Sequence, residues 1–133
     1  MRLSPLAAEA WRRLEAAARG DGLGIFPLSG FRSVERQAAI IREKLKQGQR
    51  LAEILRLVAA PGFSEHHSGR AVDVGSGDST ALEASFGETA EFRWLQRRAA
   101  DFGFTLSYPP GNPYGFDYEP WHWCWWSATS GRA

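Results

Sequence analysis

Ser64-Glu65-His66-His67-Ser68-Gly69-Arg70-Ala71-Val72-Asp73-Val74 (residues 64–74) is the stretch on which the fold and the chemistry of this chain both turn. Its first part is small and polar, the composition of a loop that presents side chains, and its last four residues are strand-like. Side chains alternate along a strand, so Val72 and Val74 face a core while Asp73 points with Ala71 to the opposite side. Working back from it, Ala60-Pro61-Gly62 is a turn and Leu51, Ile54, Leu55 and Val58 mark a short helix. Before that, Ser33 is placed to cap a helix with apolar positions Val34, Ala38, Ile41 and Leu45, which Gly48 stops. Ile25 to Leu28 is a short strand, with Pro27 favouring a sheet edge, and Ser4-Pro5 opens a first helix running to about Arg19.

Working forward, Gly75 to Gly87 is a small-residue connection. A helix from about Thr89 carries Phe92, Leu95, Ala99 and Phe102 and ends at Gly103. Phe104 to Ser107 is a further strand, Pro109 to Pro113 a rigid loop, and Phe116 to Trp126 a closing aromatic strand. Helices and strands mix without regular βαβ alternation. The expectation is an α+β fold, one domain over residues 1–133, with a small, mostly antiparallel sheet packed by helices.

Composition narrows the function. Sixteen Lys and Arg against 15 Asp and Glu provide no field for nucleic acid, and a nucleic-acid partner is not expected. Cys124 is the one cysteine, so an intrachain disulfide, a four-cysteine zinc site and a CxxC motif are all ruled out. Met1 to Ala10 has a single arginine and no long apolar run, and no segment approaches the roughly 20 apolar residues of a membrane span.

The three histidines, His66, His67 and His122, each lie within three residues of Glu65 or Glu119. Catalytic zinc takes three His or Asp/Glu ligands and keeps a position for water, a count that His66, Asp73 and His122 can fill. On spacing alone Asp73 is equally well read as an exposed-face residue or as the partner of Arg70 in a salt bridge. Glu119-Pro120-Trp121-His122 sets a carboxylate three residues before a histidine, and the proline rules out a shared helical face. A base beside a ligand, or a structural Glu and a packed His among tryptophans, both fit that spacing. Arg32 is the candidate donor to an oxyanion, His67 a neighbour of the ligand loop, and Cys124 a small packing residue.

Taken jointly, Ser29-Gly30-Phe31-Arg32-Ser33, Ser64 to Asp73 and Tyr118-Glu119-Pro120-Trp121-His122 resemble the VanY-type D-alanyl-D-alanine carboxypeptidases, of the LAS-type zinc peptidases. The resemblance implies Zn2+ on His66, Asp73 and His122, choosing His66 over His67. It implies Glu119 as catalytic base, Arg32 as catalytic donor, and Ser64 and Gln37 as contacts to the peptide, with Trp121 as a pocket wall. The implied reaction is hydrolysis of the terminal peptide bond of a peptidoglycan stem peptide of D-Ala-D-Ala type. Alternatives at the same site are an L,D-carboxypeptidase, a D,D-dipeptidase or a wall endopeptidase, and outside it a non-catalytic cell-wall-binding module. A monomer in the periplasm or cell envelope is expected, although no export segment is read within the chain. The chain departs from the family where His122-Trp123 runs into Cys124 rather than a basic residue.

Overall fold

A computed structural model describes residues 2–77 and 82–126. Helix α1 (Pro5–Gly20) is followed by strand β1 (Ile25–Ser29), helix α2 (Val34–Lys46), a short α3 (Leu51–Ile54), strand β2 (Ala71–Ser76), helix α4 (Ala90–Arg98) and strands β3 (Phe104–Leu106) and β4 (His122–Trp125). Single 3-10 turns cover Glu65–Ser68, Ala84–Glu88 and Ala99–Phe102. The strands form one antiparallel sheet in the order β1-β2-β4-β3, so Pro27 does sit on an edge strand, where its missing N–H costs no ladder bond. The α+β expectation is met.

The sheet has two different faces. Val72 and Val74 of β2, Trp123 of β4 and Phe104 of β3 pack with Trp11 and Leu14 of α1 and Phe92, Trp94 and Leu95 of α4 into the hydrophobic core. Asp73 and His122 stand opposite each other across β2 and β4, on the other face. That face is covered too, since every residue of β2 is buried. The exposed-face reading of Asp73 is therefore corrected: its relative exposure is 1%.

Several elements differ from expectation, each for a local reason. The closing strand is confined to four residues, because Glu119 to His122 is a tight turn in which the His122 N–H donates to the Glu119 carbonyl (3.2 Å), with Pro120 at its second position. Helix α2 buries Gln37 and Ile41, whereas Val34 and Leu45 of the expected apolar face are exposed, so it covers a polar cleft as well as apolar surface. The third helix stops at Ile54 rather than Val58, and the fourth tightens to 3-10 geometry after Arg98. Ser33 caps α2 through its side chain, while Ser4 precedes α1 without a side-chain cap and uses its backbone N–H on the Gly69 carbonyl (2.8 Å). Of the connection expected between Gly75 and Gly87, Gly75 and Ser76 extend β2, the last residues enter a 3-10 turn, and 78–81 lie outside the described residues.

Gly69 ties this frame to the 64–68 turn. It ends that turn at φ +75°, and a Cβ there would meet the Ser4 backbone nitrogen at 3.0 Å. Gly69→Ala is expected to destabilise by about 1–3 kcal/mol, from the left-handed backbone and the crowding together, with a lowered thermal midpoint as the readout.

Candidate metal centre

The eight residues that the sequence reading gave a ligand, catalytic or substrate-contact role line one cleft of about 220 Å3: Arg32, Gln37, Ser64, His66, Asp73, Glu119, Trp121 and His122. Each arrives for a structural reason. His66 sits in the 3-10 turn capped by Ser64, whose Oγ accepts the His66 backbone N–H (3.1 Å). A bulge in β1 after Pro27 skips Leu28 and sets Ser29 opposite Asp73. The Ser29 hydroxyl then donates to Asp73 Oδ2 at 2.6 Å. Asp73 and His122 face each other through strand register, and the Pro120 turn brings Glu119 alongside.

The ring nitrogens are assigned by their partners. His66 Nδ1 lies 2.7 Å from the Gly30 carbonyl, an acceptor, so Nδ1 carries a proton, and Nε2, 3.2 Å from Asp73 Oδ1, is the nitrogen left to hold an ion. His122 Nε2 lies 2.8 Å from Glu65 Oε1, leaving Nδ1 to face Asp73 Oδ1 at 3.4 Å and Glu119 Oε1 at 3.9 Å. Among the described residues, His66, Asp73 and His122 form the group able to hold a metal ion, with donor atoms all within 4.8 Å of one another. Two imidazole nitrogens and one carboxylate oxygen, each ligand steadied by a hydrogen bond on its far side, suit the donor chemistry of zinc. Glu119, 4% exposed, stands beside the group without belonging to it.

The remaining residues build the walls. Arg32 lies 3.6 Å from Asp73 Oδ2 and donates to the Gln37 side-chain oxygen (3.0 Å), while the Gln37 amide donates to the Ala59 carbonyl (2.6 Å). Both ends of the Gln37 amide are thus engaged within the chain. The Arg70 partner considered for Asp73 is corrected to Arg32, since Arg70 lies over the Trp126 ring, 4.5 Å from its centroid. His67 clamps the arginine loop: Nδ1–H donates to the Arg32 carbonyl (2.7 Å) and Nε2 accepts from the Gly62 N–H (3.0 Å). Trp121 is 5% exposed and joins cleft wall to core. Sequence reading assigned no role to Ser29, Glu65 or Tyr108, whose ring centroid is 4.9 Å from that of His122. Glu65 lies next to a ligand histidine, but its partner is 57 residues away, so no local pattern marks it.

Burial dominates the electrostatics and is overcome selectively. Desolvation would raise the Asp73 carboxyl, yet hydrogen bonds from His122 and His66 hold it far below its usual range. For His122, burial favours the neutral ring, but hydrogen bonds to Asp73 and Glu65 outweigh that and raise its pKa to about 9. Glu119 is pushed up to about 8, first by burial and then by the charges of Asp73, Asp117 and Glu65, against the opposing effect of His122. A cation on the three ligands would act against that rise. Because a metal must displace the His122 proton, apparent zinc affinity is expected to strengthen by up to about tenfold per pH unit between pH 6 and the His122 pKa. Chelator competition at several pH values measures this.

A family model described as VanY, D-alanyl-D-alanine carboxypeptidase, matches residues 1–128. A D-alanyl-D-alanine carboxypeptidase of Enterococcus faecalis is 36% identical over 116 residues, covering 80% of this chain and 41% of the relative. The chain therefore spans less than half the length of that curated relative. The solved LD-carboxypeptidase LdcB superposes with TM-score 0.87 at 31% identity, covering 98% of this chain and 62% of that one. A vancomycin-resistance D,D-pentapeptidase VanY mutant, solved in complex with Zn(II), superposes with TM-score 0.76 at 29% identity, covering 95% of this chain and 74% of that one.

Proposed function

This chain belongs to the VanY family of D-alanyl-D-alanine carboxypeptidases, and on that premise we propose that it is a zinc-dependent carboxypeptidase acting on the terminal peptide bond of peptidoglycan stem peptides ending in D-Ala-D-Ala. The observation that carries this reading is the convergence of three donor atoms within 4.8 Å, with the Glu119 carboxylate beside them and outside their set. A purely structural zinc site has no use for that extra carboxylate.

Zinc, when bound, supplies a Lewis acid that polarises a carbonyl and lowers the pKa of water toward about 7. His66, Asp73 and His122 are the residues that would hold it. Glu119 takes a proton from the attacking water and returns it to the leaving amine; a cation on the three ligands favours the ionised carboxylate that this first step needs. The Arg32 guanidinium, held by Gln37, meets the negative charge developing on the former carbonyl oxygen. Ser64 and Trp121 line the same cleft and serve as contacts to the peptide, with Gln37 acting at least through Arg32.

We take residues 1–133 as one monomeric peptidase domain, whose proposed ligands and base all come from this chain. Acting on that substrate class, the domain would work in the cell envelope; no helix among the described residues is long and apolar enough to cross a membrane. The L,D-carboxypeptidase alternative is favoured by one observation, the high superposition on LdcB. Incubation of the zinc-loaded chain with defined muropeptides, followed by mass spectrometry, separates the two. Loss of one D-Ala from a pentapeptide ending in D-Ala-D-Ala supports the proposal, and cleavage confined to tetrapeptides replaces it with the alternative.

A further inference from the structure

We infer that Glu65 is a positioning residue for the metal centre, selecting the nitrogen that His122 offers to the ion. The inference rests on the reading that His66, Asp73 and His122 hold zinc. A neutral imidazole has one protonated nitrogen and one lone pair, and its neighbours decide which is which. An ionised carboxylate only accepts, so Glu65 Oε1 at 2.8 Å from Nε2 keeps a proton on that nitrogen, and the nitrogen left for an ion to take is Nδ1, which faces Asp73 at 3.4 Å and Glu119 at 3.9 Å.

Glu65 is itself held in place. The Ser107 hydroxyl, just beyond β3, donates to the same oxygen at 2.6 Å. One carboxylate therefore joins the 64–68 turn, the end of β3 and β4. The turn that delivers His66 also orients the other ligand histidine, whose ring lies edge-on to it at 4.9 Å between centroids. Glu65 is not a ligand, because it lies on the far side of the His122 ring from the donor group and outside that group. Its negative charge makes the imidazole a more basic donor, as carboxylates behind ligand histidines do.

The Glu65 side chain keeps 27% of its surface exposed, so water can replace the carboxylate in a truncated variant, and the fold is expected to survive. The test measures zinc by chelator competition in the wild-type chain, Glu65→Ala, Glu65→Gln and Ser107→Ala. Glu65→Ala is expected to bind zinc about 10–100-fold more weakly, with Glu65→Gln between it and wild type because an amide oxygen still accepts. Ring nitrogen NMR of the zinc-loaded wild type is expected to show His122 protonated at Nε2 and slow to exchange, a signal that broadens in Glu65→Ala while the amide spectrum stays native. Zinc affinity within about threefold of wild type in Glu65→Ala, or an Nδ1-protonated His122 in the loaded wild type, overturns the inference. Should Glu65→Ala not fold, wild-type affinities in both Glu65→Gln and Ser107→Ala overturn it. A wild-type chain that binds no zinc instead defeats the metal-site reading itself.

Discussion

Glu119→Ala is expected to bind one equivalent of zinc as the wild-type chain does and to lose peptide hydrolysis by about 10²–10⁴-fold, the scale of general acid–base catalysis by one side chain. The separation of the two effects follows from position. Glu119 Oε1 is 3.9 Å from His122 Nδ1, beside the ligands and yet outside the group of three donors. Removing it takes away a proton acceptor in a buried cleft and leaves every ligand and every hydrogen bond behind the ligands in place. The loss should fall on kcat, since the proton transfer occurs on the way to the transition state and not in substrate binding. Metal analysis and steady-state kinetics on the same preparation check it. Hydrolysis at the wild-type rate would remove Glu119 from the mechanism.

Asp73→Ala is expected to do the opposite, abolishing zinc retention and the fold's margin of stability together. Asp73 accepts from Ser29, lies 3.6 Å from Arg32 and faces both ligand imidazoles, all at 1% exposure. Its loss strips one of three ligands and leaves the half-buried Ser29 hydroxyl and the Arg32 guanidinium, still held by Gln37, without the carboxylate they share. Breaking a buried charge pair from one side costs about 3–5 kcal/mol, a large share of the roughly 5–15 kcal/mol of a typical domain. Urea unfolding and zinc content measure the two effects separately. His122→Ala should also lose the metal, but with less cost to stability, since it leaves the Asp73–Arg32 and Asp73–Ser29 contacts intact.

Those two residues differ in how far the sequence announced them. The strand Ala71–Val74 was legible from its valines, and alternation correctly set Asp73 away from the core, because period-two patterning is a local property of the chain. Whether that second face met solvent was not legible: the 64–68 turn packs on it and Arg32, held by Gln37 of α2, reaches Asp73, and those placements depend on long-range packing. Helix α2 illustrates the same limit. Its apolar spacing favoured Val34, Ala38, Ile41 and Leu45, of which Ile41 is buried as expected while Val34 and Leu45 are exposed, and the most buried position is Gln37, which holds Arg32 and the Ala59 carbonyl. A glutamine on a helix carries no mark of such partners. In the Glu119–His122 segment, Pro120 correctly argued against a helix, but the aromatic run overstated the strand, because β propensity does not show where a turn closes.

The sequence by itself determined the α+β class, most of the helices and strands, and the residue types at the metal centre. These rest on periodicity, on turn residues and on three motifs whose joint occurrence resembles a known family. Only the tertiary structure decided which atoms meet. His66 offers Nε2 and His122 offers Nδ1, because the carbonyl of Gly30 and the carboxylate of Glu65 occupy their other nitrogens. Asp73 is paired with Arg32 rather than with its neighbour Arg70, and with Ser29, 44 residues away, because a bulge in β1 shifts the strand register by one residue. Hydrogen-bond partners are fixed by distances of a few tenths of an ångström between segments remote in the chain, and such distances exist only once the sheet, the turn and α2 have packed.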